Sequence, residues 1–328
     1  MKLKEAAYYI DGILSADLAV LSRAITLIES TLPAHQAIAA EILGAIEPHT
    51  VSSFRLGITG VPGVGKSTFI ENFGKTLVQE GYKLAVLAVD PSSEISKGSI
   101  LGDKTRMEGL SQLNNVFIRP SPNAGNLGGV ARSTYETMLL CEAAGYNFIM
   151  VETVGVGQSE VAVARITDFF LLLLLAGAGD ELQGIKRGIM EMADAVIITK
   201  ADGDNLLKAK AARSEYAHAL HLLQAKESGW QTQTHICSST EQTGMAEIYN
   251  MLKTYRHFTE TSGYFSQKRK HQQYELFLAS IEEQLKSLFF SHPAIKKRIM
   301  DIKNESGIQP FRLAKALIQD FFKLNSLG

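Results

Sequence analysis

The fold of this chain is decided by the stretch Gly60-Val61-Pro62-Gly63-Val64-Gly65-Lys66-Ser67-Thr68. It fits the P-loop pattern G-x-x-x-x-G-K-[ST]. The glycines let backbone N–H groups turn inward around a phosphate, the lysine reaches the β- and γ-phosphates, and the hydroxyl ligates Mg²⁺. The stretch therefore predicts a nucleoside triphosphate site in which Lys66 contacts the phosphates and Ser67 contacts the metal ion.

The segments that flank this stretch favour a true P-loop over a chance match in a glycine-rich turn. Residues 54–59 predict a short strand that enters the loop, and residues 68–78 show the apolar spacing of a helix that leaves it. Free N–H groups and the positive end of the helix dipole then both point at the phosphates.

The composition is typical of a globular protein and argues against several classes of function. With 328 residues, 45% hydrophobic and 20% charged, the chain is long enough for a large α/β domain with smaller additions. The net charge of −1 gives no indication of a nucleic-acid partner. The longest apolar run, residues 169–179, is shorter than the about 20 residues of a transmembrane helix, so we expect no membrane association.

Two further features predict a cytoplasmic location. Cys141 and Cys237 are the two cysteines of the chain, and they provide no disulfide framework. The N-terminal residues show no apolar core of a signal peptide.

Three segments of different character follow one another along the chain. Residues 1–50 carry apolar positions at helical spacing and predict an N-terminal helical extension. Residues 51–258 alternate strand-like and helix-like stretches, and their continuous apolar runs predict an α/β P-loop domain whose mainly parallel sheet is covered by helices on both faces. Residues 259–328 predict two amphipathic helices that pack on the main domain or on another chain. The strand-like runs are 54–59, 84–89, 116–119, 148–152, 169–175, 195–199 and 234–237.

Three carboxylates lie near predicted strand ends or in a glycine-containing loop. Asp90 follows one predicted strand, Glu152 ends another, and Asp103 lies in a loop. Parallel sheets bind ligands at the C-terminal ends of their strands. Mg²⁺ in P-loop proteins takes the Ser/Thr hydroxyl, phosphate oxygens, and direct or water-mediated carboxylates. The sequence therefore predicts a magnesium site made by Ser67 and these three acids.

Glu152 and Gly155 occupy the place where GTPases carry Asp-x-x-Gly. The glycine N–H of that motif can bond the γ-phosphate, so its loop orders with the triphosphate and relaxes after hydrolysis. Val156 follows Gly155, so the glutamine that positions water in Ras is absent from its usual place. Gln158 is either a substitute for that glutamine or a structural residue.

Residues 199–202, Thr-Lys-Ala-Asp, resemble the guanine-specificity motif Asn-Lys-x-Asp. The carboxylate of Asp202 would accept from the guanine N1–H and exocyclic amino group, where adenine has no matching donors, and Lys200 would lay its alkyl stem over the base. The threonine in place of asparagine removes one hydrogen-bonding amide, which predicts weaker binding but leaves the discriminating acid. Ser238 and Ser239 are predicted to add backbone contacts to the base edge.

Together these motifs resemble those of the MeaB/ArgK family of G proteins, over about residues 14–260. Residues 177–188, which on their own indicate either a mobile glycine-rich element or an ordinary loop and helix start, also fit that family. The stretches that carry the resemblance are 60–68, 89–93 (Val-Asp-Pro-Ser-Ser), 102–107 (Gly-Asp-Lys-Thr-Arg-Met), 152–160 (Glu-Thr-Val-Gly-Val-Gly-Gln-Ser-Glu) and 179–186 (Gly-Asp-Glu-Leu-Gln-Gly-Ile-Lys).

The resemblance implies a P-loop NTPase fold of the SIMIBI type and a GTPase that works with Mg²⁺ and GTP or GDP. It implies a chaperone of the adenosylcobalamin enzyme methylmalonyl-CoA mutase, in which hydrolysis gates cofactor loading and protects the mutase. It also implies that the C-terminal helices are the dimerisation arm of a homodimer.

The resemblance further implies roles for matching residues. Residues 60–68 and Gly155 would hold the phosphates, and Lys66 and Glu152 would serve hydrolysis. Arg106 and Lys186 would be switch residues that approach the nucleotide when the partner docks.

Two other classes of function stay open. A nickel-delivering metallochaperone GTPase would share the P-loop, but it would carry Cys and His ligands near the switches. The nearest candidates, His218 with His221 and His235 with Cys237, lie far along the chain from there. An ATP-dependent small-molecule or periplasmic-transport kinase, the older assignment for such chains, is disfavoured by Asp202. The client of a chaperone also stays open between methylmalonyl-CoA mutase and a relative such as isobutyryl-CoA mutase.

Overall fold

A computed structural model describes residues 3–90, 107–122, 127–153, 159–177, 187–222, 225–303 and 309–325. Seven parallel strands form one sheet in the order β3-β2-β4-β1-β5-β6-β7. The strands are β1 (Phe54–Gly60), β2 (Leu84–Asp90), β3 (Val116–Pro122), β4 (Phe148–Thr153), β5 (Phe169–Leu175), β6 (Ala195–Thr199) and β7 (Gln233–Ile236).

Helices precede the sheet, connect its strands and follow it. The helices are α1 (Ala6–Leu14), α2 (Leu18–Ile28), α3 (Pro33–Ile46), α4 (Lys66–Gln79), α5 (Glu108–Ser111), α6 (Leu127–Ala143), α7 (Ser159–Ile166), α8 (Arg187–Met192), α9 (Leu206–His221), α10 (Met245–Thr261), α11 (Tyr264–Ser291), α12 (Pro293–Ile302) and α13 (Pro310–Asn325).

Most strands form where the sequence shows continuous apolar runs, whereas β7 is the half-buried stretch Gln233–Ile236. Every residue of β1, β4 and β6 is buried, as expected for strands covered on both faces. One buried apolar cluster packs against one face of the sheet and includes α4 and α10, and a second packs against the other face and includes α9. The predicted α/β fold with a parallel sheet flanked by helices is confirmed.

The N-terminal segment forms separate helices where the apolar spacing alone would predict a continuous one. Apolar residues repeat at helical spacing from Leu14 to Ile28, but the chain turns between α1 and α2 at Ala16, whose φ is +59°. Asp17 then caps α2, and its carboxylate accepts the N–H groups of Ala19 at 2.8 Å and Val20 at 3.1 Å. Leu14 at the end of α1 is exposed as a result.

Two buried aspartates fix the N-terminal ends of β1, β5 and β6. The carboxylate of Asp168 accepts the backbone N–H of Arg55 at 2.7 Å, and that of Asp194 accepts the backbone N–H of Phe170 at 2.8 Å. The backbone N–H of each aspartate also donates to the carbonyl of the same strand residue. The same two-way contact therefore sets the register of three neighbouring strands.

Two compact units divide the chain between Gln272 and Gln273, within α11. The first unit contains the whole sheet. The second contains the rest of α11 with α12 and α13, where Phe321 packs edge-to-face on Phe289 at 5.2 Å between ring centroids. Two helices were predicted after residue 258, and the structure has more, because Pro293 starts the separate helix α12. The three-part division at residues 50 and 258 stays a prediction.

Candidate functional site

The phosphate-binding stretch connects the central strand β1 to helix α4. A Cβ atom at Gly60 would lie 2.5 Å from the carbonyl oxygen of Leu173 on β5, so only glycine fits where β1 ends. Gly63 and Gly65 have φ values of +80° and +95°, which favour glycine. Gly65 is the N-cap residue of α4, so the loop leads directly into the helix N-terminus, where backbone N–H groups are free to bind an anion.

Lys66 lies folded back over this loop. Its ammonium group donates to the carbonyl oxygens of Gly60 at 2.7 Å and Val61 at 3.2 Å. Burial lowers the pKa of Lys66, and the carboxylates of Glu152 and Glu160 oppose that shift. The lysine is thus a buried cation held by neutral acceptors, which an anionic ligand could replace as partners.

Residues at the end of β4 lie beside the end of β1. Glu152 pairs in register with Ile58 and is buried. The hydroxyl of Thr153 donates to that of Thr59 at 2.8 Å, which joins the two strand ends. Glu160, in the first turn of α7, is buried as well; we did not single it out from the sequence, where its only signal was its place at the end of residues 152–160.

The predicted magnesium ligands are only partly within the described residues. The hydroxyl of Ser67 and the carboxylate of Glu152 are oxygen donors of the kind Mg²⁺ prefers, so these two fit the ion chemically. Asp90 ends β2, but its side chain lies outside the described part of the chain, as does Asp103 entirely. Gly155, Gln158, Arg106 and Lys186 also lie outside it.

The described ranges contain no group of three or more His, Cys, Asp or Glu residues that could hold a metal ion. The pairs His218 with His221 and His235 with Cys237 therefore belong to no such group there. No helix within those ranges is long and apolar enough to span a bilayer.

The predicted base-recognition residues come together at the ends of β6 and β7. The N–H of Ala201 donates to the carbonyl of Cys237 at 3.0 Å, which joins the two loops. The carboxylate of Asp202 accepts from the hydroxyls of Ser238 at 2.5 Å and Thr240 at 3.0 Å. Lys200 adopts a φ of +55°, an uncommon conformation for a lysine.

Thr240 is a residue that we did not predict. The sequence placed Ser238 and Ser239 near the base, and the structure brings the hydroxyl of Thr240 to Asp202. The hydroxyls of Ser238 and Thr240 hold the pKa of Asp202 below its ordinary value, and Lys200 adds to the effect. The carboxylate is therefore ionised at neutral pH and ready to accept hydrogen bonds.

Thr199 joins the base loop to the phosphate loop. Its buried hydroxyl lies 2.7 Å from the carbonyl oxygen of Val64 and 3.2 Å from that of Leu174. Thr199 replaces the asparagine of the guanine-specificity motif and lacks its amide. Its hydroxyl instead supplies a hydrogen bond across β5 to the P-loop. This bond ties the two parts of the predicted nucleotide site together.

Comparisons with known proteins show the family of the chain. The family described as "Methylmalonyl Co-A mutase-associated GTPase MeaB" matches residues 21–294. GTPase ArgK of Escherichia coli K12 is 46% identical over 292 residues, which cover 88% of each chain. The mouse protein named "Methylmalonic aciduria type A homolog, mitochondrial" is 44% identical over 326 residues, 94% of this chain and 78% of that one. The crystal structure of LAO/AO transport system kinase has a TM-score of 0.75 and 36% identity, and the match covers 99% of this chain and 100% of that chain.

Thr199→Val tests the bond between the two loops. The change removes the hydroxyl at nearly constant volume and leaves the carbonyl of Val64 without this donor. Because a buried acceptor that loses its partner costs about 1–3 kcal/mol, we expect the free energy of unfolding in urea to fall by about that amount. The control Thr199→Ser keeps the hydroxyl and should lose less. Equal stability of the valine variant and the unaltered chain would contradict a structural role for this bond.

Proposed function

This chain belongs to the MeaB family of methylmalonyl-CoA mutase-associated GTPases and is a GTPase, and on that premise we propose that it is a G-protein chaperone of an adenosylcobalamin-dependent acyl-CoA mutase. The observation that carries this proposal is the family match over residues 21–294, which includes the whole sheet and both loops of the predicted nucleotide site.

Residues 60–68 would hold the nucleotide phosphates, together with Gly155. In the described structure, the ammonium of Lys66 is satisfied by the carbonyls of Gly60 and Val61. A phosphate oxygen is a stronger acceptor for a cation than a neutral carbonyl. On binding, Lys66 would therefore exchange these carbonyls for the β- and γ-phosphates.

A magnesium ion would be held by Ser67 and Glu152, with Asp90 and Asp103, and would neutralise phosphate oxygens during hydrolysis. Glu152 is suited to this role because it lies at the strand end beside the P-loop, and it is buried. The roles proposed for this chain's own residues are to bind the phosphates and to orient the γ-phosphate.

Hydrolysis by the chain alone would be slow. Val156 stands where Ras-type GTPases carry the glutamine that positions water. Arg106 and Lys186 are the cations proposed to approach the nucleotide when the mutase docks, and cations that reach a transferring phosphoryl group accelerate hydrolysis. Docking of the partner would thus couple GTP hydrolysis to loading of the cofactor into the mutase.

Guanine would be read by the loops after β6 and β7. Asp202 would accept from N1–H and the exocyclic amino group, and Lys200 would cover the base. Ser238 supports this role because it is buried and already donates to Asp202. Ser239, the neighbouring residue, is proposed to contribute through its backbone.

A second candidate function follows from one structural relative. The solved structure at 36% identity is that of a protein named a transport system kinase, which suggests an ATP-dependent kinase. Such a chain would bind adenine nucleotides. The placement of the Asp202 carboxylate beside Ser238 supports guanine recognition instead, and the first experiment below decides between the two.

The C-terminal unit is proposed as the dimerisation arm of a homodimer. Its stretch of α11 carries apolar side chains at helical spacing that stay exposed within the described chain, and a row of this kind is a candidate for contact with a second copy. These side chains are Tyr274, Phe277, Ile281, Leu285 and Leu288.

The chain is proposed to work in the cytosol. Cys141 and Cys237 are both buried free thiols, which suits a reducing compartment.

Asp202→Asn tests the identity of the base. The amide would lose an acceptor for guanine but would gain a donor for the 2-carbonyl of xanthine. We therefore expect the variant to bind GDP about 100-fold more weakly and to bind xanthosine diphosphate more tightly than the unaltered chain does. Calorimetric titration with GDP, ADP and xanthosine diphosphate measures this. The control Asp204→Asn changes an exposed carboxylate two residues further on and should leave all three affinities unchanged. Tighter binding of ADP than of GDP by the unaltered chain would favour the kinase.

The partner is tested by GTP turnover with purified mutases. Addition of methylmalonyl-CoA mutase should raise the rate of phosphate release by at least about tenfold, because docking brings cations to the nucleotide. Isobutyryl-CoA mutase, assayed in parallel, identifies the client. Lys66→Ala is the control and should show no turnover in either case. If neither mutase changes the rate or forms a complex in light scattering, the chaperone proposal is wrong.

The arm is tested by a charge on its exposed stripe. Phe277→Glu and Leu285→Glu change exposed positions two turns apart, so the fold should persist while a second copy is repelled. We expect the molar mass from light scattering to fall from that of a dimer to that of a monomer, with unchanged GDP affinity. Leu222→Glu, at another exposed leucine, is the control and should stay dimeric. A dimer that survives both arm substitutions would place its interface elsewhere.

A further inference from the structure

The loop after β7 presents two hydroxyl groups from a closed turn. Ser238 and Thr243 exchange both of their backbone hydrogen bonds at 3.1 Å, which closes the turn. Gln242 has a φ of +54°, and a Cβ atom at Gly244 would collide with the carbonyl oxygen of Ile236, so the turn has little freedom to change shape. The positions of Ser238 and Thr240 are thus set by the backbone that carries them.

Both hydroxyls bond to the same oxygen of Asp202. The hydroxyl of Ser238 donates to Oδ2 at 2.5 Å, and that of Thr240 donates to Oδ2 at 3.0 Å. The backbone N–H of Glu241 donates to the Ser238 hydroxyl oxygen at 3.1 Å, which leaves the hydroxyl hydrogen for Asp202. Ser238 is fully buried, whereas Thr240 is exposed.

The two hydroxyl donors at Oδ2 restrain the orientation of the whole Asp202 carboxylate and leave Oδ1 open. A single hydrogen bond leaves a carboxylate free to rotate about its terminal bond, and two bonds from different residues restrain that rotation. In the part of the chain that the structure describes, the hydrogen bonds to this carboxylate reach Oδ2, and Oδ1 has none. The carboxylate is therefore held in one plane with one oxygen open.

We propose that Thr240 is a positioning residue for base recognition, which fixes the plane of the Asp202 carboxylate so that it meets the two adjacent donors of guanine together. This inference rests on the proposed guanine site and deepens it. A rotating carboxylate can still accept one hydrogen bond from N1–H. Accepting from N1–H and the exocyclic amino group at once requires a fixed plane, so Thr240 contributes chiefly to recognition of the amino group.

The test compares GDP with inosine diphosphate, which lacks the exocyclic amino group. Thr240→Val removes the hydroxyl, and we expect GDP to bind about tenfold more weakly and inosine diphosphate to change less, so the preference for GDP falls several-fold. Thr240→Ser should restore the preference. Thr243→Val, the same change in the same turn, should leave it unaltered.

The outcomes distinguish a failure of the proposed role of Thr240 from a failure of the proposed guanine site. If the unaltered chain prefers GDP to ADP but Thr240→Val keeps the full preference for GDP over inosine diphosphate, only the role of Thr240 is wrong. Equal losses for GDP and inosine diphosphate would indicate a collapsed turn and would also overturn that role. If the unaltered chain shows no preference for guanine over adenine, the guanine site itself fails and this inference fails with it.

Discussion

The hydrogen bond from Thr199 to the carbonyl of Val64 sets the geometry on which the nucleotide site depends. The phosphate loop follows β1 and the base loop follows β6, with β5 between them. Neighbouring strands lie about 4.8 Å apart, so the two loops start about 10 Å from each other. The Thr199 hydroxyl crosses this gap, since it also lies 3.2 Å from the carbonyl of Leu174 on β5. A nucleotide that binds to both loops would therefore depend on the distance between them, which the buried Thr199 hydrogen bond maintains.

Charged residues have different roles at the two ends of the sheet. Those at the N-terminal ends of the strands stabilise the fold, and those at the C-terminal ends suit ligand binding. At the N-terminal ends of the strands, buried charges are paired within the chain: Arg55 with Glu142 at 2.8 Å, Lys226 with Asp194 at 2.6 Å, and Arg269 with Asp168. Removing one partner of such a pair leaves a buried charge without compensation, so these pairs hold the strands in place.

At the C-terminal ends of the strands, two charged residues have neutral hydrogen-bond partners. Lys66 is bonded to neutral carbonyls, and Asp202 is bonded to hydroxyls. Neutral partners can be exchanged for a charged or donating ligand at small cost, which is why this end suits binding.

Much of the fold could be predicted from the sequence, because its signals are local. Continuous apolar runs predicted a parallel sheet, and the spacing of glycine and lysine at 60–68 predicted the loop that β1 enters. The contacts that assemble the site could not be predicted, because they join residues far apart in the chain. In the sequence, Thr199 was only a departure from the Asn-Lys-x-Asp motif. Nothing near it in the sequence indicated that its hydroxyl would reach Val64. Likewise, nothing near Arg269 in the sequence indicated that it would pair with Asp168, about a hundred residues earlier.

The surroundings of the site residues differ in how far the sequence could indicate them. Glu152 lies beside the end of β1, from which the loop to Lys66 starts, because the sheet order brings β4 beside β1, an order that apolar runs alone do not specify. Thr240 was missed because a threonine in a turn has many ordinary roles, and its bond to Asp202 depends on the closed shape of the 238–243 turn.

A structure of the chain with bound GDP and Mg²⁺ would show whether one guanine nucleotide spans both loops. We predict that the ammonium of Lys66 leaves the carbonyl of Gly60 for the β-phosphate, and that the guanine N1 and amino group lie within hydrogen-bonding distance of Asp202. A structure in which the phosphates bind at residues 60–68 while the guanine lies away from Asp202 would contradict the proposal that one nucleotide spans both loops.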